Sequence, residues 1–138
     1  MDTWLIDTAL LKTLATPKAA ILRRWCDTHD ASLFVSVASL TEIAAGVAKM
    51  PSSQSERAKA MCEWLDAFAA RFADRIHPIG TEISLRAGAF LPSLVNGVPR
   101  HRLHDALLVA TAEIHGHGLL TRREAIFGAW TKVPIATP

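Results

Sequence analysis

The chain has 138 residues, of which half are hydrophobic and a fifth are charged, and its formal net charge is +2. This size and composition fit one globular domain over residues 1–138 and exclude a disordered chain. The net charge is too small to indicate nucleic-acid binding by itself, but it leaves room for a local basic patch.

The first third of the chain alternates between strand and helix patterns. Residues 3–7 (TWLID) form a short apolar run ending in Asp7, which predicts a buried strand. Thr16 followed by Pro17 is typical of a helix start, and we expect this helix to continue to about residue 29. Two further elements follow, a β-rich strand at residues 33–37 and a helix at residues 38–50.

The rest of the chain continues the alternation. Ser53 and Glu56 have the spacing of a capping box and predict the start of a long helix that contains residues 61–72. The remaining predicted elements are a short strand at 76–79, a helix from 81 to about 95, a helix at 103–115, a strand at 118–121 and a last strand at 132–135. Alternation of this kind predicts an α/β domain with a largely parallel sheet, whose functional crevice lies at the carboxyl ends of the strands.

The sequence contains no segment typical of membrane insertion or export. The longest uncharged run, residues 87–99, is interrupted by Pro92, and it is shorter than the roughly 20 apolar residues that a spanning helix needs. The N-terminal residues lack the pattern of a secretory signal. Cys26 and Cys62 form no C-x-x-C pair and are typical of packed thiols in a reducing compartment. We therefore expect a cytoplasmic protein without membrane contact.

Four acidic residues occupy positions of interest in this topology. Asp7 closes the first strand, Glu42 lies one turn into the helix after the second strand, and Glu124 follows the fourth strand, so these three gather at one edge of the sheet. Asp105 precedes an uncharged stretch, residues 106–112. It has three possible roles: capping a helix, pointing to water, or binding a metal cation.

A cluster of carboxylates in an apolar α/β core has one common chemical explanation. A hard divalent cation relieves their mutual repulsion. Mg²⁺ takes oxygen ligands, keeps several waters and is often completed by phosphate oxygens. One or two such ions can activate water for phosphodiester hydrolysis. Any single acid is equally typical of a helix cap or a solvated surface group, so the prediction rests on their joint placement.

Three segments resemble motifs of the PIN-domain proteins of the VapC type, which are the toxins of bacterial type II toxin–antitoxin pairs. LIDTALL resembles the opening strand and its first metal-binding acid, Asp7. SLTEIAAGV resembles the family's T-x-x-E-L-x-x-G segment, whose acid corresponds to Glu42. HDALLVATAEIHGHGLLTR resembles the family's D-A-L-I-A-A-T-A stretch running into L-V-T-R, whose acid corresponds to Asp105, and it is the most specific of the three. The closing VPIATP resembles the common V-P-V-x-x-P ending. The resemblance covers nearly the whole chain.

The resemblance implies a PIN-like three-layer α/β/α sandwich and a Mg²⁺- or Mn²⁺-dependent endoribonuclease. Asp7, Glu42 and Asp105 would be the catalytic metal ligands, and Thr121 would position a metal-bound water. The implied partners are an RNA substrate, a second copy of the chain in a homodimer and a cognate antitoxin whose tail blocks the acidic pocket.

Three positions depart from the family's pattern. Ala9 stands where the family often has Asn or Ser. Arg123 stands where Asn is usual, and Ile126 stands where a fourth acid is usual. Glu124 is the nearest acid to that position, but it is offset, so it is a weak candidate for a second metal ligand.

Basic residues flank the predicted acidic pocket. We expect them either to bind RNA phosphates or to form a solvated charged rim. These residues are Arg100, Arg102, Arg122 and Arg123.

The sequence is also compatible with two other functions. The missing fourth acid is compatible with a catalytically degenerate module that binds RNA or an antitoxin-like partner without cleaving. A receiver-like signalling domain would also have an acidic α/β pocket, but it predicts a pair of acids after the first strand, where Asp7 stands alone.

For the nuclease, we expect Asp105→Asn to abolish cleavage and to leave stability equal or higher, because it removes charge repulsion.

Overall fold

The computed structural model describes residues 2–17, 19–91 and 100–138, with the side chains of residues 100 and 101 left undescribed. Its strands are β1 (Trp4–Ile6), β2 (Leu33–Ser36), β3 (Ile76–His77), β4 (Gly118–Leu120) and β5 (Ile135–Ala136). Its α-helices are α1 (Thr8–Leu14), α2 (Ala20–Thr28), α3 (Val37–Ala48), α4 (Ser55–Arg71), α5 (Thr81–Phe90), α6 (Arg100–His115) and α7 (Glu124–Phe127). None of these described helices is long and apolar enough to span a membrane.

All five strands are parallel and lie in the order β3-β2-β1-β4-β5. In the register of the central strands, Leu5 pairs with Phe34 on one side and with Leu119 on the other. Each parallel pair requires a crossover, and the helices supply it. The predicted α/β class and parallel sheet are therefore confirmed.

The two faces of the sheet bury separate hydrophobic cores. Leu5 and Leu119 pack on one face with apolar residues of α5 and α6, whereas Ile6 and Leu120 pack on the other with residues of α1 to α4. Successive strand side chains point to opposite faces, so uninterrupted apolar strands are what a sheet covered on both sides needs. The result is the predicted three-layer α/β/α sandwich.

Three details of the first half of the chain differ from the sequence-based expectation. Helix α1 begins directly after Asp7 and was not predicted, and α2 begins at Ala20, later than the Thr16–Pro17 signal suggested. The predicted capping box is wrong, because Ser53 lies in a 3₁₀ turn and α4 begins at Ser55 without a side-chain cap. The part of the predicted helix beyond residue 91 lies outside the described residues.

Candidate active site

The central strands deliver polar residues to one edge of the sheet. Asp7 and Thr121 follow the carboxyl ends of β1 and β4, which are neighbours, and the Asp7 N–H donates to the Leu120 carbonyl at 2.9 Å. Ser36 closes β2 on the other side of β1, and its hydroxyl caps α3 by accepting a hydrogen bond from the Ala38 N–H at 3.1 Å. The strand order thus places Asp7 in the middle of this edge.

Asp105 lies in the second turn of α6, because this helix begins at Arg100. An N-cap is the residue that precedes the first turn, so Asp105 is not a helix cap. It does not point to water either, since it is 6% exposed. Asp7 is also buried, at 1% exposed. The structure therefore contains two buried carboxylates that require a positive partner.

Arg123 supplies that positive partner. Its Nε and Nη2 donate to Oδ2 and Oδ1 of Asp7, both at 3.0 Å. Its Nη1 and Nη2 donate to Oδ2 and Oδ1 of Asp105 at 3.1 and 2.7 Å. One guanidinium thus bridges both carboxylates and bonds all four of their oxygens, which is the fork geometry that arginine provides and lysine does not.

Burial alone would disfavour the charged guanidinium. The hydrogen bonds and negative charges of Asp7 and Asp105 outweigh that penalty and raise the pKa of Arg123 above its ordinary value. Arg123 therefore carries its charge at every accessible pH. The three groups together keep one net negative charge near the edge of the sheet.

Thr121 links the carboxylate of Asp7 to the backbone of Arg123. Its hydroxyl is buried, donates to Asp7 Oδ2 at 2.7 Å and accepts a hydrogen bond from the Arg123 N–H at 2.9 Å. The same hydroxyl therefore orients the carboxylate and fixes the turn that begins after β4. Its predicted role toward a metal-bound water stays a prediction.

Glu42 lies on α3 and lines a cleft of about 500 Å³ together with Lys12, Lys49 and His104. Among the described residues, no three His, Cys, Asp or Glu side chains are grouped closely enough to hold a metal ion. Glu42 is thus not grouped with Asp7 and Asp105 around one ion position in this conformation. The cleft is nevertheless lined by residues of the two helices next to the acid pair. Helix α1 begins directly after Asp7, and α6 carries both His104 and Asp105.

The other predicted site residues lie around this core. Glu124 is exposed at the start of α7. Arg102 lies over the ring of Trp130 at 5.9 Å, and Arg122 is exposed, with its Nε 3.4 Å from the Pro138 carbonyl oxygen. The side chain of Arg100 lies outside the described residues. Arg123 was expected at a basic rim, and the structure instead places its guanidinium between the two acids.

A second polar cluster was not predicted as a unit. Nε2 of His77 lies 2.8 Å from Nε2 of His117, and Nδ1 of His117 bonds the Thr3 hydroxyl at 2.6 Å. The ring of His115 stacks on His77 at 3.7 Å. The sequence showed His115 and His117 as an H-x-H pair, but the third histidine comes from β3, which sequence spacing does not reveal.

The fold matches chains of solved complexes at low sequence identity. DNA-bound VapBC from Salmonella typhimurium contains a chain with a TM-score of 0.77 and 18% identity, and the match covers 99% of this chain and 98% of that one. FitAcB from Neisseria gonorrhoeae gives 0.76 and 21%, with 96% of each chain covered. A toxin–antitoxin complex from Klebsiella pneumoniae gives 0.59 and 24%, with 99% and 98% covered.

The chain has a PIN-like fold. The resemblance to VapC-type proteins that the motifs predicted is thereby confirmed at the level of the fold. No family model matches the sequence, and no curated protein matches it significantly.

Proposed function

We propose that this protein is the toxin of a type II toxin–antitoxin pair and acts as a Mg²⁺- or Mn²⁺-dependent endoribonuclease. The observation that carries the proposal is the pair of buried carboxylates, Asp7 and Asp105, held face to face at the carboxyl edge of a PIN-like sheet. Burying two carboxylates together is costly unless a cation binds between them. This edge is also where open α/β sheets bind their ligands.

The donor set fits a hard divalent cation. Mg²⁺ is commonly held in proteins by one or two carboxylates, with waters and substrate phosphate oxygens completing its shell. Asp7 and Asp105 would hold the ion, Thr121 would keep Asp7 oriented, and Glu42 would approach from the adjoining cleft. A bound ion would activate water and neutralise the leaving oxygen. Glu124, which is exposed, is the weakest member of the predicted ligand set.

The cleft beside the acid pair suits a phosphate backbone. Lys12 and Lys49 line it together with His104, and both lysines are exposed. Cations of this kind attract RNA without regard to sequence. Arg100, Arg102 and Arg122 are further basic residues that we propose for binding RNA phosphates. RNA is therefore the substrate that we propose.

The proposed partners are a cognate antitoxin and a second copy of the chain, and the proposed location is the cytoplasm. Support for the antitoxin comes from the matched solved structures, one of which is described as a toxin–antitoxin complex. The match extends over nearly the full length of both chains, so the likeness is not confined to one shared segment. Support for the homodimer comes from the sequence resemblance alone.

A catalytically degenerate module is the second candidate, and two observations favour it. Arg123 bonds every oxygen of the acid pair, and Ile126 replaces the usual fourth acid. A domain whose acid pair is permanently occupied by an arginine would bind RNA or a partner without cleaving. The two candidates differ in metal-dependent cleavage.

The test is cleavage of total cellular RNA by the purified, partner-free protein in Mg²⁺, in Mn²⁺ and in EDTA, with Asp7→Ala as the control. The nuclease predicts discrete fragments that disappear in EDTA and in the control. A folded protein that yields no fragments with either metal would contradict the nuclease and support the degenerate module.

A further inference from the structure

Arg123 and a divalent cation would need the same atoms. Each of the four oxygens of Asp7 and Asp105 accepts a hydrogen bond from the guanidinium, at distances between 2.7 and 3.1 Å. An ion bound by this pair must take lone pairs from these same oxygens. Nη2 contacts one oxygen of each acid, so the guanidinium also fills the space between the two carboxylates.

Charge makes the conflict stronger. The two carboxylates carry two negative charges, which one divalent ion would balance. Arg123 and the ion together would bring three positive charges to the same pocket, a few ångströms apart, where low polarity strengthens the repulsion between them. Simultaneous occupancy is therefore disfavoured by both geometry and electrostatics.

We propose that Arg123 is a built-in competitor of the divalent cation, so that the ion enters the Asp7–Asp105 pocket only when the arginine side chain leaves it. This inference rests on the proposed function, because it concerns occupancy of the same pocket. It makes Arg123 the residue that sets the metal affinity of this chain, and it explains how a buried acid pair stays stable while no ion is bound.

The position of Arg123 permits such a displacement. Its side chain is 32% exposed, whereas those of Asp7 and Asp105 are 1% and 8% exposed. It lies immediately before α7, a helix of four residues, and its guanidinium carbon is 4.6 Å from the ring centre of Phe127. Leaving the pocket therefore requires rotation of a surface-accessible side chain rather than opening of either hydrophobic core.

The first test measures Mn²⁺ binding by electron paramagnetic resonance of the free ion, without RNA. Arg123→Asn should bind Mn²⁺ about tenfold or more tightly than the wild type. Arg86→Asn is the matched control, because Arg86 is also an arginine bonded to a carboxylate, Glu113, at 2.7 Å, and it should leave the affinity unchanged. The double variant Arg123→Asn/Asp105→Asn should lose the gain, which places the ion at the acid pair.

Equal or weaker Mn²⁺ binding by Arg123→Asn would overturn the inference. Because this variant leaves two buried carboxylates without a counter-ion, its folding must be checked by circular dichroism, and a second measurement uses the wild type. In a Mg²⁺ titration followed by NMR of ¹⁵N-labelled arginine, the Nε–H signal of Arg123 should shift progressively while that of Arg86 stays fixed. A signal of Arg123 that remains unchanged up to high Mg²⁺ would overturn the inference even if the variant does not fold.

Neither measurement depends on catalysis, so the two proposals fail separately. Tighter Mn²⁺ binding by Arg123→Asn with no RNA cleavage by either protein would support the competitor and contradict the nuclease. Metal-dependent cleavage by the wild type with unchanged Mn²⁺ affinity in the variant would support the nuclease and contradict the competitor.

Discussion

The hydroxyl of Thr121 donates a 2.7 Å hydrogen bond to the carboxylate of Asp7, across 114 positions of sequence. Both residues are buried, and they follow two adjacent parallel strands. The same hydroxyl accepts a hydrogen bond from the backbone N–H of Arg123. The acid and the arginine that neutralises it are therefore positioned by one side chain.

Replacing Thr121 by Val should lower the free energy of unfolding by about 1–3 kcal/mol, because the change keeps the shape and removes a buried hydroxyl from two polar partners. Urea denaturation measures the effect. Thr121→Ser keeps the hydroxyl and should cost less than Thr121→Val. An equal loss in the two variants would mean that packing of the methyl group, rather than the hydrogen bonds, is what Thr121 contributes.

Asp105→Asn should also lower the free energy of unfolding, by about 1.5–3 kcal/mol. From sequence alone the opposite was expected, since the acids appeared to repel each other without a partner. The structure predicts a loss of stability instead, because Asp105 accepts two hydrogen bonds from the Arg123 guanidinium and a neutral amide accepts them less well. Urea midpoints of the wild type and the variant decide it, and a midpoint at or above that of the wild type would show that relief of repulsion dominates.

The histidine cluster should make stability fall in acid. Burial lowers the pKa of His117 to about 4, with further contributions from the charges of His77 and His115, and burial also lowers the pKa of His77. The folded protein thus binds fewer protons than the unfolded chain, in which histidine titrates near 6.5. The contribution of neutral His117 to the free energy of unfolding is therefore fully present above about pH 6.5 and is lost as the pH falls toward 4. Between pH 7 and pH 5 the loss is roughly 2 kcal/mol.

His117→Asn isolates this effect, since an amide can also bond the Thr3 hydroxyl but does not titrate. Urea midpoints at pH 7 and pH 5 should differ less in the variant than in the wild type. The same difference in both proteins would assign the acid sensitivity to other groups.

Gly118 should not tolerate a side chain. A Cβ at this position would lie 2.5 and 2.7 Å from ring atoms of Trp4 and 2.9 Å from the Pro134 carbonyl oxygen. Gly118→Ala should therefore cost about 1–3 kcal/mol. Gly88→Ala is the contrasting change, because Gly88 lies inside α5 with no atom within 4 Å of a Cβ, and alanine there should add about 0.5–1 kcal/mol. Thermal midpoints that move in the same direction for both variants would contradict this reasoning.

Local patterns predicted most of the elements, and they predicted Asp7 at the carboxyl edge of the sheet, where the structure has it. The apolar runs at β1, β2 and β4 are uninterrupted because both faces of the sheet are buried, and Gly116, with a φ of 71°, ends α6 as predicted. Helix α1 was missed because the Thr16–Pro17 signal suggested a later start. Apolar residues at helical spacing, Leu10, Leu11 and Leu14, were the available indication of this helix.

Local sequence patterns could not predict that Arg123 is the partner of Asp7 and Asp105. Arg123 bonds Asp7 across 116 positions because β4 pairs with β1, and a sequence motif does not specify which side chain enters a pocket. The departure from Asn at this position was visible in the sequence, but its consequence was not. The same limit applies to His77, which reaches His117 from a strand at the edge of the sheet.

The proposed nuclease requires Asp105 for catalysis, and the rate at which Asp105→Asn cleaves RNA in Mn²⁺ measures this requirement. The substrate is a cellular RNA that the wild type cuts, and Asp66→Asn, which changes an exposed acid of α4, is the matched control. The rate of Asp105→Asn should fall to the level seen in EDTA, while Asp66→Asn should cut like the wild type. Cleavage by folded Asp105→Asn at the wild-type rate would contradict a catalytic role of Asp105 and would reduce the acid pair to a structural ion-pair site.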